Sequence, residues 1–194
     1  MADAPALTVS RTAATAQTRK LRTRAALRAA MLELLLEMPF DQIQITDLTA
    51  RAGIGYATFF RHYAGTQGLF EEIAGDQIAA LLDMTIPVMR QFDSATSTLA
   101  LCRYVDDNRA LWRVLLTGGA AQTVRAEFVR QAREWARRFD DGRTTSVPLD
   151  LGTVCSAGST IDALAWWLER ADAFRADEIA AFINRLIIAP FVGE

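Results

Sequence analysis

Ile43 to Phe70 reads IQITDLTARAGIGYATFFRHYAGTQGLF, and this stretch decides the fold. A short helix from about Ile45 to Ala52 buries Leu48 and Ala52. Gly53 follows where a helix commonly ends in left-handed geometry, which glycine adopts without strain. Ile54 is a lone apolar residue in the turn, placed to plug the angle between two helices. A second short helix runs from about Tyr56 to Tyr63, with Phe59 and Tyr63 on its core side. Helix, glycine-bearing turn and helix make the helix-turn-helix pattern. Where that pattern meets DNA, the second helix lies in the major groove with its first residues at base edges. An ordinary helical hairpin shares this spacing, so the surrounding chain has to discriminate.

Upstream, Leu27, Ala30, Met31, Leu34 and Leu35 recur at three- and four-residue steps, which predicts a helix from about Thr18 to Met38. Pro39 ends it. Residues 1–17 are rich in Ala, Thr and Ser without periodicity and read as a flexible basic arm. Downstream the pattern stays helical. Gln67 to Met84 stops near Pro87, Thr96 to Asp106 and Arg109 to Leu116 are shorter, and Gly118-Gly119 is a break. Ala121 to Phe139 is amphipathic, Asp140 to Pro148 is a polar loop, Leu149 to Arg170 is strongly apolar, and Asp177 to Ile188 closes before Pro190. No strand alternation of useful length interrupts them. The fold class is all-α with about nine helices. Residues 18–65 form the helix-turn-helix domain, and residues 66–194 form a helical domain for ligand binding and dimerisation.

The net charge of −2 hides an asymmetry. Residues 1–65 carry eight Lys/Arg against five Asp/Glu, and the remainder carries 13 against 18. Between Arg11 and Arg28 stand six basic residues and no acidic one. A basic end on an acidic body suits a polyanion held at that end. A hydrophobic content of 51% with 23% charged residues supports a packed core and argues against general disorder. No apolar run reaches membrane-spanning length, and the N-terminus lacks the basic-then-apolar order of a secretory signal. A cytoplasmic protein with no membrane partner is expected. Cys102 and Cys155 read as two free thiols in a reducing compartment, with a redox switch as the alternative. One histidine, no glycine-rich phosphate loop, no clustered metal ligands and no nucleophile elbow argue against an enzyme, a metal site or a cofactor.

Over roughly Arg22 to Ile73 the chain resembles the tetracycline-repressor (TetR) family of bacterial regulators. The residues that carry the resemblance are Ala29, Ala30 and Leu34, then Phe40-Asp41, Ile45 and Leu48. Ala52-Gly53-Ile54, Thr58-Phe59-Phe60, His62-Tyr63 and Leu69-Phe70 complete it without a gap. The resemblance implies a DNA-binding transcriptional regulator, a repressor released by a small molecule. It places Thr46, Gly55, Tyr56 and Ala57 at bases or the groove, and Thr58, Phe60, His62 and Thr66 at phosphates. Arg61 reaches either phosphate or solvent. Three positions depart from the family pattern: Gly55 replaces a capping serine, Phe60 lacks the usual tyrosine hydroxyl, and Thr66 lacks the usual lysine charge. The basic stretch Arg11 to Arg24 is the compensating source of charge. A helical interaction module that keeps the fold without specific DNA binding is the alternative.

The resemblance further implies that the last two helices pair with their twofold mates, giving a homodimer suited to a palindromic double-stranded operator. Gly152, Ala157, Gly158 and Ser159 permit close helix approach, and Gly158 is expected in that contact between mates. The helices between should enclose a pocket for an apolar or aromatic ligand. Its candidate lining is Phe92, Trp112, Leu116, Trp135 and Trp166, each of which also suits plain core.

Overall fold

In a computed structural model, α1 spans Ala6–Glu37. The structure describes residues 6–91, 93–140, 147–170 and 174–192, and side chains from residue 15 onward except 89–92. The helical backbone begins at Ala6, inside the stretch expected to be a flexible arm. Ala6 to Arg19 contains four alanines and no proline or glycine, so no residue there breaks a helix. The inner face of α1 buries Leu27, Ala30, Met31, Leu34 and Leu35. A 3-10 turn, Phe40–Gln42, follows.

The chain divides into two compact units, Met1–Met38 with Gln42–Phe70, and Pro39–Asp41 with Glu71–Glu194. In the first, α2 spans Ile45–Ala52 and α3 spans Tyr56–Phe59. The backbone N–H of Gln44 donates to Asp47 Oδ2 at 2.9 Å and fixes the start of α2. Leu48 is fully buried beside the α1 core residues, and α2 packs on α1. Arg51 ties the two helices from outside, reaching Glu37 at 2.7 Å and Glu33 at 3.1 Å.

The helix α4, Thr66–Gln91, begins in the first unit, where Leu69 and Phe70 are buried, and continues through the second. Its length corrects the expected stop near Pro87, which lies inside the helix. Proline leaves the carbonyl four residues earlier without its donor. That carbonyl belongs to Asp83, an exposed residue. Ser97 Oγ also donates to the Thr85 carbonyl at 2.8 Å, tying the helix to its neighbour just before the proline.

The second unit continues with α5 (Ser94–Asp107), α6 (Arg109–Thr117), α7 (Ala121–Arg138) and α8 (Leu149–Leu168). Next, α9 (Ala176–Ile183) runs through a π-helical stretch, Asn184–Ile188, into α10 (Ala189–Val192). Pro190 therefore lies within the closing helix and not beyond it. Its missing N–H falls inside a continuous helical run, just after the π-helical stretch. Nine separate helical rods result among the described residues, with no strand. The unit pairs α5 with α9 and α7 with α8. Trp112, Leu115, Val124, Phe128, Ile161, Leu164 and Trp167 are buried within it.

The small residues of α8 serve this internal packing. A Cβ on Gly158 would stand 2.9 Å from Arg125 Nη2 of α7, and one on Gly152 would stand 3.2 Å from Phe191 Cδ1. This corrects the expectation for Gly158, which is buried against its own α7. Arg125 is in turn held by Asp162 at 2.8 Å. The exposed side of α8 carries Leu151, Val154, Cys155, Ser159, Asp162 and Trp166.

Candidate nucleic-acid interface

The turn between α2 and α3 is built by one residue in left-handed geometry. Gly53 has φ 64° and ψ 35°. Its N–H donates to the Ala50 carbonyl at 3.3 Å, and Ile54 N–H donates to Thr49 at 3.0 Å. These bonds satisfy carbonyls that the end of α2 would leave open. Ile54 is half-buried in the angle.

The second helix is shorter than expected. After Phe59 the chain tightens into turns, with Arg61 N–H bonded to Thr58, and His62 and Tyr63 N–H both bonded to Phe59. Four aromatic rings lie within residues 59–63. Phe59 lies 5.6 Å from Phe60 and 5.9 Å from Tyr63, while Tyr63 lies 6.5 Å from His62. Phe59 and Tyr63 are buried, and they root the segment in the domain core. Arg24 of α1 closes the far side, its guanidinium 5.8 Å over the Tyr63 ring and its Nε donating to Tyr63 Oη at 3.4 Å.

With that side rooted, the opposite side is open to solvent. Tyr56 is 54% exposed and Phe60 49%, their rings edge-to-face at 5.3 Å. Gly55, Ala57, Arg61 and Thr46 are also exposed, and Thr58, His62 and Thr66 are half-buried. Gly55 has ordinary extended geometry and supplies no capping side chain. The first turn of α4, opened by Thr66, holds no acidic residue. Burial together with Lys20, Arg24 and Arg61 holds the His62 imidazole below its usual pKa, so it is neutral near pH 7. The positive charge that Lys20 and Arg24 add to the surroundings of His62 is the feature missed in the sequence. Its signal was the four-residue spacing of Lys20, Arg24 and Arg28, which puts them on one face of α1.

The pocket candidates are placed differently. Phe92 lies outside the described residues. Trp112 is fully buried, edge-on to Tyr104 at 6.3 Å, and Leu116 is buried on the same helix. Trp135 is half-buried and stacked on Phe139 at 4.6 Å. Trp166 faces outward at 42% exposure, stacked on Phe174 with the Arg170 guanidinium 4.2 Å over it. Its neighbour Trp167 fills the interior instead, donating from Nε1 to the Phe174 carbonyl at 2.9 Å. Among the described residues there is no cluster of three metal-ligating side chains, and no helix is long and apolar enough to cross a membrane.

Together α2, the Gly53 turn and α3 define a helix-turn-helix unit within an all-α chain. Comparison with solved structures narrows this, because the chain has the fold of TetR regulators. A TetR transcriptional regulator from Streptococcus agalactiae superposes with a TM-score of 0.67 at 19% identity, covering 90% of this chain and 98% of that one. RolR in complex with resorcinol gives 0.59 at 26% identity, covering 88% and 89%. NalD, the secondary repressor of the MexAB-OprM multidrug efflux pump in Pseudomonas aeruginosa, gives 0.62 at 18% identity, covering 90% and 96%. No family model and no curated protein matches the chain.

Proposed function

We propose that the chain is a DNA-binding transcriptional repressor of the TetR type. It binds a palindromic operator as a homodimer in the cytoplasm, and a small apolar or aromatic molecule releases it. The observation that carries this reading is the uncovered face of α3. Tyr56 and Phe60 are large apolar side chains held out in solvent, while Phe59 and Tyr63 anchor the same segment from behind. Exposed apolar side chains grouped in this way mark a surface that a partner covers. Tyr56, Gly55, Ala57 and Thr46 take the base-edge positions, with Tyr56 suited to thymine methyl groups. Thr58, Phe60, His62 and Thr66 lie along the phosphates, and Lys20, Arg24 and Arg61 supply positive charge beside His62.

Dimerisation is supported by an apolar surface on the second unit. Leu151, Val154 and Trp166 of α8 and Phe182 of α9, with Leu186 just after it, are exposed large apolar side chains. Such a surface marks an interaction site, and a twofold pairing would give two recognition helices the symmetry of a palindrome. Ligand release is supported by RolR, a resorcinol complex of the same fold. A ligand acts through its differential affinity for the DNA-competent and free states. Loss of the hydroxyl at Phe60 and of charge at Thr66 favours the second reading, an interaction module without specific DNA binding.

Selection from a random duplex pool separates the two. The proposal expects an enriched palindrome with half-sites about 34–36 Å apart, and affinity that falls with salt. Binding without sequence enrichment favours the module.

A further inference from the structure

The turn after α3 carries the chain's single histidine. Its backbone N–H is committed to Phe59 at 2.9 Å. Lys20 and Arg24 of α1 and Arg61 of its own turn are the positive charges acting on the imidazole, and its ring centroid lies 6.5 Å from that of Tyr63. Nδ1 is buried with no hydrogen-bond partner, which leaves Nε2 as the accessible nitrogen of a half-buried ring. A ring nitrogen bearing hydrogen donates, and a bare one accepts. A hydrogen on Nδ1 would strand a buried donor, an arrangement that folded proteins rarely contain. The positive surroundings oppose that N–H and tolerate a lone pair. An imidazolium would strand the same donor with a full charge added.

We propose that His62 takes a phosphate oxygen as a neutral Nε2–H donor, its tautomer set by the buried, partnerless Nδ1. The inference rests on the DNA-binding reading and specifies how that site works. Neutralising the phosphate falls to Lys20, Arg24 and Arg61. The histidine contributes direction. Binding therefore draws no proton from solution near neutral pH, and the grip does not fade as pH rises through 7, as an imidazolium contact would.

Nitrogen-15 spectra of the full-length chain, free and bound to its selected duplex, give a clean test because one imidazole is present. Nε2 protonated and Nδ1 bare at pH 7 in both states is expected. Calorimetric binding heats should not depend on the ionisation enthalpy of the buffer. Side-chain reach gives an independent arm: glutamine places its amide near Nε2, asparagine near Nδ1. His62→Gln should retain affinity within about threefold, while His62→Asn and His62→Phe lose about tenfold or more, the worth of one hydrogen bond to a charged group. Thermal melts of the free variants show whether any loss is one of folding. An imidazolium in the complex, uptake of a proton on binding, or equal losses for His62→Gln and His62→Phe in folded chains would overturn the proposal. Failure of the unmodified chain to bind any duplex overturns the DNA reading, and this inference with it.

Discussion

Replacing Gly53 tests the turn that aims α3. Its φ of 64° lies in left-handed space, and a Cβ built there meets no atom within 4 Å. The whole penalty of a side chain is therefore backbone strain, with no clash to add. For an alanine that strain is about 1–2 kcal/mol, partly offset by about 0.4–1 kcal/mol from a stiffer unfolded chain. A net loss of about 1 kcal/mol lowers the melting temperature of a chain this long by about 2–4 °C. Asparagine tolerates left-handed geometry, and a β-branched residue does so least. Gly53→Asn should thus lose less than Gly53→Ala, and Gly53→Val should lose more. Thermal and urea unfolding of the three variants supply the ranking. An alanine variant as stable as the parent would refute the strain argument. So would losses that follow side-chain volume, because that order signals crowding where the structure shows open space.

Phe60→Tyr restores a hydroxyl on an exposed ring and should tighten operator binding without changing the preferred sequence, as read by a titration against the selected duplex. Leu186 is 69% exposed, so Leu186→Lys should leave the protomer folded and weaken dimerisation, visible as a shift toward monomer in sedimentation. Burial pushes the Cys102 thiol up to about 12, with Asp106 nearby adding to the effect, whereas Cys155 is exposed. A thiol reagent at pH 8 should reach Cys102 only on unfolding. The sign of the linked stability follows: the fold keeps Cys102 protonated while the unfolded chain ionises near pH 9. Stability should be unaffected by this group below about 9 and fall as pH rises from there toward 12.

The turn and its flanking helix were legible because the signals are local. Gly53 punctuates the chain, Leu48 marks the buried face of α2, and the bounds Ile45–Ala52 follow. Where the reading missed, a tertiary term outweighed a local rule. Pro87 lies inside α4 and Pro190 inside the closing helical run, where the local rule expects a stop. The helix α3 stops at Phe59, where Phe59 and Tyr63 turn into the core and Phe60 stays in solvent. Gly158 looked like a contact between mates, yet the partner it accommodates is Arg125, 33 residues earlier in the same chain. No spacing rule could pair those two. Between adjacent tryptophans, periodicity could not choose the buried one, and the Phe174 carbonyl that accepts from Trp167 decides it.

The exposed ring of Tyr56 carries the central claim, that α3 reads bases. The decisive measurement is the affinity of Tyr56→Ala for the selected operator and for a random duplex, at one salt concentration. The account predicts a loss of roughly 1–3 kcal/mol on the operator and little change on random DNA. Equal losses on both duplexes, or none on the operator, would contradict it.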